Sequence, residues 1–211
     1  MLPTKEEMIA ALEKRHGVET QRKFLSATVA ICGLGGLGSN IAIALTRAGI
    51  GKLILIDFDR VDLANLNRQQ YKLSQVGMFK TDALCENLKE ISPYVELEPH
   101  CVRITEDNAK ELLKEADILC EAFDNAESKA MLTNIVLKKM PEKYLIAGSG
   151  LAGLGSANTI KTRKAMRHFY ICGDEVSDVN KGIGPVASRV LVCAAHQAHM
   201  VLRILTNEFE A

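Results

Sequence analysis

Apolar positions along this chain switch repeatedly between short continuous runs and helical spacing. Residues 28–32 (Thr-Val-Ala-Ile-Cys) form a first apolar run, followed by Gly33-Leu34-Gly35-Gly36-Leu37-Gly38. Ile41, Ala42, Leu45 and Ala48 then fall at helical spacing, and residues 52–56 form a second apolar run that ends in Asp57-Phe58-Asp59. That order predicts strand, glycine turn, helix and strand, a βαβ unit whose ligand-binding elbow is the first turn. Gly33 is expected to make the tight turn, and Gly35 to let a phosphate-bearing ligand approach the backbone. Gly38 is expected to let helix and strand pack closely. A helix opening near Gly36 points free N–H groups and the positive end of its dipole at an anion.

The same alternation continues. Met8, Ile9 and Leu12 give residues 5–14 a helical period, and 21–25 read as another short turn, so 1–26 is expected to be a helical arm. Residues 76–91 read as a helix stopped by Pro93, 95–102 as a strand, and 105–114 as a helix capped by Thr105. Residues 117–122 form an apolar strand before Asp124-Asn125, 127–139 a helix, and 144–147 a strand. An added strand, parallel or antiparallel, is expected over 155–161. Residues 161–184 are polar and without clear period, and read as a mobile crossing loop, after which 186–207 form a closing helix. The pattern predicts an α/β, doubly wound, mainly parallel sheet of Rossmann-like type, parallel through Ala147, with added C-terminal strands and a closing helix. One domain over residues 1–211 is expected. In such sheets ligands lie outside the carboxyl ends of the strands, where Gly36, Asp57 and Asp124 are all placed. The run from Gly148 to Gly153 also fits G-x-G-x-x-G, but no helical pattern follows it. It reads as a glycine-rich turn passing close to a ligand or a neighbour.

Composition narrows the chemistry. With 26 basic and 26 acidic residues the net charge is zero, so no global field favours nucleic acid or an anionic membrane. Any phosphate chemistry must rest on local cations. No apolar run approaches the roughly 18–20 residues that span a bilayer, and the charged N-terminal segment is unlike a signal peptide. The six cysteines are scattered with no C-x-x-C pair, so no zinc clip is expected. Cys32 and Cys120 fall in strands expected to be buried, and the setting is expected to be a reducing cytoplasm. His196 and His199, three apart with no adjacent carboxylate, read as packing or surface residues rather than metal ligands.

The glycine elbow alone reads as a dinucleotide site, with Asp57 on a ribose hydroxyl, which would suit an NAD-dependent oxidoreductase. The following residues change that reading. Asp57-Phe58-Asp59-Arg60-Val61-Asp62-Leu63-Ala64-Asn65-Leu66-Asn67-Arg68-Gln69 gathers polar and cationic groups at the carboxyl end of the second strand. Hydride transfer has no general need of an arginine there, whereas a triphosphate site does.

Taken in order, GLGGLG, Arg47-Ala48-Gly49-Ile50-Gly51, Asp57-Phe58-Asp59, Asn65-Leu66-Asn67-Arg68-Gln69, Lys80 and Asp124-Asn125 resemble the ThiF/MoeB/ubiquitin-activating superfamily. The resemblance runs from about Arg15 to Leu205, and within the superfamily is most like a compact ThiF branch acting with the sulfur carrier ThiS in thiamine biosynthesis. It implies ATP- and Mg²⁺-dependent adenylation of the C-terminal glycine carboxylate of a ubiquitin-fold carrier, and a homodimer. Gly36 would join the backbone cradle of the nucleotide, with Gly33, Gly35 and Gly38 framing it, and Asp57 would hold the ribose. Asn65, Arg68 and Lys80 would contact the triphosphate, and Asp124 would bind Mg²⁺ beside Asn125. Asp59 and Asn67 belong to the same implied nucleotide-binding set. An N-terminal arginine, Arg15 or else Arg22, would reach the partner subunit's phosphates, and Cys172 in the crossing loop would be a reactive thiol. Ala64 stands where the family often has serine. Other readings remain open at this stage: an NAD-dependent oxidoreductase, adenylation of a tRNA or peptide carboxylate, or a nucleotide-binding scaffold without catalysis.

Overall fold

A computed structural model of the chain describes residues 2–178 and 182–211. Seven strands form one sheet in the order β3-β2-β1-β4-β5-β7-β6. The strands are β1 Thr28–Cys32, β2 Lys52–Ile56, β3 Glu96–His100, β4 Ile118–Glu121, β5 Tyr144–Gly148, β6 Lys161–Met166 and β7 Phe169–Gly173. All adjacent pairs are parallel except β6 with β7. The register levels the carboxyl ends: Cys32 lies opposite Ile56 on one side and Glu121 on the other, and Glu121 lies opposite Ala147. One edge of the sheet therefore carries the loops after β1, β2, β4 and β5 together.

The described residues form seven α-helices: α1 Lys5–His16, α2 Val18–Ser26, α3 Gly36–Ala48, α4 Lys80–Ile91, α5 Ala109–Leu113, α6 Ala126–Lys139 and α7 Ala187–Leu205. Alternate residues of β1 divide between two cores, as a strand of period two requires. Val29 and Ile31 pack with Ile41 and Leu45 of α3, Leu84 and Leu88 of α4, and Val190 and Val201 of α7. Ala30 and Cys32 face the other side, with Leu113 of α5 and Leu132 and Val136 of α6. Parallel strands buried on both faces read as continuous apolar runs, which is why β1, β2 and β4 were plain in the sequence.

Several boundaries differ from expectation. The helix expected from residue 76 begins at Lys80, because a turn with Gly77 at φ 91° comes first and then Phe79 forms an antiparallel bridge with Arg60, with Val61 N–H donating to the Met78 carbonyl at 2.8 Å. Thr105 caps no helix. Its own N–H donates to Asn108 Oδ1 at 2.8 Å, and α5 starts only at Ala109. The short turn expected over 21–25 is the full helix α2, set off from α1 by Gly17 at φ 82°.

The largest correction concerns the expected crossing loop over 161–184. Its first half is the hairpin β6–β7, and residues 179–181 lie outside the described residues. β6 (Lys-Thr-Arg-Lys-Ala-Met) is an edge strand with four of its residues exposed. Lysines on an edge oppose pairing with another chain, and the polar sequence conceals the strand. No strand occupies 155–160; a 3₁₀ turn lies at Ala157–Thr159, and the antiparallel pairing starts at Lys161. Among the described residues no helix is long and apolar enough to cross a membrane.

Candidate active site

A cavity of about 340 Å³ opens at the carboxyl edge, between the loops after β1, β2, β4 and β5. The glycine elbow forms its floor. Gly33 adopts φ 94°, and a Cβ there would press on the Ala122 carbonyl at 2.9 Å. A Cβ on Gly38 would run into the Gly33 carbonyl, so that glycine permits the close packing of α3 on β1. Gly33, Gly35 and Gly36 border the cavity, and Gly38 lies behind them. Free N–H groups at the start of α3 leave a positive helix end there.

Asp57 organises this floor. Its Oδ2 accepts the Leu34 N–H at 2.6 Å and its Oδ1 the Asp59 N–H at 2.8 Å, which fixes the glycine turn to the end of β2. Asp59 accepts from Lys80 Nζ at 2.9 Å, and Lys80 is buried at the first turn of α4. Arg68 lays its side chain over Gly36 and donates to Asn67 Oδ1 at 2.9 Å. Asp57, Asp59, Asn65, Arg68 and Lys80 all border the cavity. Asn67 does not; its amide donates to the Pro185 carbonyl at 3.3 Å, tying the loop to the segment before α7.

Across the cavity stand Asp124 and Asn125. Asn125 caps α6, accepting the Ser128 N–H at 2.8 Å, so the capping role open to Asp124 belongs to its neighbour. The Asp124 carboxylate is exposed and accepts from Asn125 Nδ2 at 3.3 Å. Ser149, Gly150 and Leu151 of the second glycine run complete the wall, with Gly150 at φ 75°. The sequence left that run beside a ligand or a neighbour, and it borders the cavity.

Arg15, Arg22 and Cys172 do not border this cavity. Arg15 lies on exposed α1, beside Glu7 and Lys14. That helix packs with α2 at the amino ends of the strands, where Leu12 and Gln21 approach Gly49. Arg22 is exposed on α2 in the same region. Neither arginine reaches the cavity of its own chain. Cys172 is not a loop thiol: it lies in β7, fully buried, and pairs with Thr162 Oγ1 at 3.4 Å. Burial pushes its pKa up to about 11, which leaves it a protonated and poor nucleophile at neutral pH. Cys193 is also buried, and His196 accepts or donates to Thr162 Oγ1 at 2.9 Å as a packing residue.

Other groups at the cavity escaped the sequence. Arg103 stacks over the Phe58 ring, 4.2 Å from its centroid, and both border the cavity with Val102 and Ile104. Lys129 borders it too, with Nζ 3.0 Å from both carboxylate oxygens of buried Glu121. An acidic residue inside the apolar run Ile118–Glu121 was the available signal, since a buried carboxylate requires a partner. Behind the mouth, buried Arg189 donates to the carbonyls of Gly155 and Ser156, both at 2.6 Å, and pairs with Asp174. Among the described residues no group of three His, Cys, Asp or Glu side chains is placed to hold a metal ion.

Comparison with known proteins places this geometry in a family context. Residues 9–211 match the model of the ThiF family. The adenylyltransferase and sulfurtransferase MOCS3 of Caenorhabditis briggsae is 38% identical over 137 residues, covering 64% of this chain and 33% of that protein. The adenylyltransferase and sulfurtransferase UBA4 of Lodderomyces elongisporus is 29% identical over 201 residues, 91% of this chain and 43% of that protein. The ubiquitin-like modifier-activating enzyme 5 of Xenopus laevis is 37% identical over 152 residues, 66% of this chain and 38% of its own. The chain thus spans between a third and a half of the length of these curated relatives. Among solved structures, the E. coli tRNA N6-threonylcarbamoyladenosine dehydratase TcdA in complex with ATP superposes with a TM-score of 0.85 at 21% identity, covering 99% of this chain and 98% of that one. E. coli MccB superposes with a TM-score of 0.73 at 21% identity, covering 99% and 64%. At that identity both show the shared fold.

Proposed function

Because the chain belongs to the ThiF family, we propose that it is an adenylyltransferase, which uses ATP to activate the C-terminal glycine carboxylate of a small ubiquitin-fold carrier and releases pyrophosphate. The names of the related adenylyltransferases and of the modifier-activating enzyme support a carrier of this kind. A ThiS-like sulfur carrier of thiamine biosynthesis is the first to test, and carriers serving other sulfur-transfer routes follow. The observation that carries the reading is the meeting of Arg68, Lys80, Asp124 and the start of α3 around one glycine-floored cavity.

The chemistry needs little more. A carboxylate with a pKa near 4 is already a nucleophile at pH 7 and requires no general base. The barrier is electrostatic, since an anion must approach a polyanion while charge builds on the α-phosphate and on the leaving pyrophosphate. Donors fixed before reaction lower it, each worth roughly 3 kcal/mol. Arg68 offers a planar fork to phosphate oxygens. Lys80 keeps two ammonium hydrogens beyond the one on Asp59. Asp57 accepts one backbone N–H on each oxygen, which leaves a lone pair on each for a ribose hydroxyl.

Mg²⁺ is commonly held by one or two carboxylates together with substrate phosphates rather than by a full protein cage, and exposed Asp124 fits that donor set. When bound, the ion would neutralise phosphate charge. Arg15 does not border its own chain's cavity, so its role in the reading belongs to a homodimer.

The test is ATP–pyrophosphate exchange by the full chain with a panel of ubiquitin-fold carriers. Wild type should exchange with at least one, and Arg68→Ala and Asp124→Ala should each lower the rate by about a hundredfold or more. Exchange that survives both substitutions would remove the site assignment. Tight NADH binding with no binding of ATP would overturn the reaction class.

A further inference from the structure

Glu121 closes the apolar strand β4 with its side chain 1% exposed. A carboxylate at that depth persists only where a cation and donors meet it. Lys129 Nζ lies 3.0 Å from each of its oxygens, and the Phe123 N–H donates to Oε1 at 2.7 Å. The same ammonium donates to the Gly148 carbonyl, the last residue of β5, at 2.8 Å. An ammonium has three hydrogens, and here there are three acceptors for them. Lys129 is therefore not a spare cation for phosphate, although it borders the cavity. It is a tie between the end of β4, the end of β5 and the second turn of α6.

The tied points flank the residues that the adenylation reading uses. Phe123, held by Glu121, directly precedes Asp124, and Asn125 on the other side is fixed as the cap of α6. The aim of the exposed Asp124 carboxylate follows the backbone held at these two points. Gly148 directly precedes Ser149 and Gly150, which form the opposite wall.

We propose that Lys129 and Glu121 are positioning residues, whose ion pair sets the loop of Asp124 and the turn of Ser149–Gly150 in register across the nucleotide cavity. Its catalytic consequence rests on the adenylation reading; its structural consequence does not. Burial acts to raise the pKa of Glu121, and Lys129 opposes it. Without the lysine the carboxyl group would take up a proton or turn outward, releasing the Phe123 N–H.

The experiment uses the full chain as wild type, Lys129→Met, Lys129→Arg and the doubly neutral Glu121→Gln/Lys129→Met. Hydrogen exchange without nucleotide is the first readout. Lys129→Met should speed exchange about tenfold or more over 122–125 and 148–151, with no change in the paired β2 and β3, and Lys129→Arg should restore part of the protection. Exchange with pyrophosphate, using the carrier that supports wild type, is the second. There kcat should fall roughly tenfold to a hundredfold while KM for ATP changes less than about threefold. If Lys129→Met fails to fold, the doubly neutral variant, which buries no unpaired charge, carries both readouts with the same expectations. Unchanged hydrogen exchange overturns the proposal whatever the activity. Faster exchange with an unchanged kcat overturns the positioning role. A wild type that exchanges with no carrier overturns the adenylation reading instead, and hydrogen exchange still decides the tie.

Discussion

Replacing Arg189 by Met should destabilise the chain more than any substitution on its exposed helix α1. The Arg189 side chain is 4% exposed and that of Asp174 11%, so the pair lies in the regime where loss of one partner strands the other. The guanidinium also donates to the Gly155 and Ser156 carbonyls and to Thr159 Oγ1. Asp174 in turn accepts from the Ser177 and Val176 N–H groups and from the Ser177 hydroxyl. Breaking a buried pair of this kind costs about 3–5 kcal/mol. With an unfolding entropy of roughly 2.1 cal/mol/K per residue over 211 residues, that is a fall in Tm of about 7–11 °C. Differential scanning calorimetry at pH 7 reads it directly. Asp174→Asn keeps an acceptor for Ser177 and should cost less, about 1.5–3 kcal/mol. The double variant should cost less than the two singles together, since each single already breaks the same pair. Acid adds a sign. Burial acts to raise the pKa of Asp174, but the hydrogen bonds from Ser177, Val176 and Arg189 outweigh it and leave it below the usual carboxylate range. A depressed folded pKa gives stability that is present above the unfolded value, near 3.9, and lost as pH falls through the folded one. The gap between wild type and Asp174→Asn should therefore hold from pH 7 down to about pH 4 and narrow as the pH falls further. A fall in Tm below about 2 °C for Arg189→Met, or strictly additive single effects, would refute the pairing argument.

Two further outcomes concern Cys172 and Arg15. Cys172→Ser should retain pyrophosphate exchange within about threefold, and native protein alkylated with iodoacetamide at pH 7.5 should be labelled at exposed Cys101 but not at Cys172; labelling of Cys172 at the rate of Cys101 would contradict its burial. Arg15→Ala should lower exchange alone, yet mixing it with an excess of Arg68→Ala subunits should recover part of the activity, because a mixed dimer assembles one complete site. Absence of any recovery, with mixed dimers shown by native mass spectrometry, would remove the contribution across subunits.

Much of this site could be read from the chain because its parts are local. The turn at Gly33, the collision that excludes a side chain at Gly38, and Asp57 at the end of β2 all lie within one βαβ unit. Fully buried strands announced themselves as apolar runs. What escaped depends on partners far away in sequence or on environment. β6 is polar because it is an edge, and β7 offered only Phe169-Tyr170-Ile171-Cys172 between charged neighbours, so Cys172 was read into a loop. Which lysine meets Glu121, and which carboxylate meets Arg189, is decided by the packing of α6 and α7 on the sheet, not by any spacing. A helical period likewise shows that α1 forms, but not which end of the sheet it covers, so the place of Arg15 at the amino ends of the strands was not legible.

The charges around the cavity explain why positive residues alone leave the proposed reaction incomplete. Lys80 is already matched by Asp59, and Lys129 by Glu121. Arg68 and Arg103, which have no carboxylate partner among the described residues, are offset by Asp57 and Asp124 at the same rim. The local balance is thus close to neutral, as is the whole chain. A triphosphate entering such a site meets directed N–H groups and the guanidinium groups of Arg68 and Arg103, but no excess of positive charge. Under the adenylation reading, Asp124 is then useful because it is an anion: it would help hold a divalent ion, whose charge would offset the repulsion between carboxylate and phosphates. A lysine at the same position would add charge yet fix no geometry. The proposed tie through Lys129 would serve the same end, by holding still the loop that carries this carboxylate.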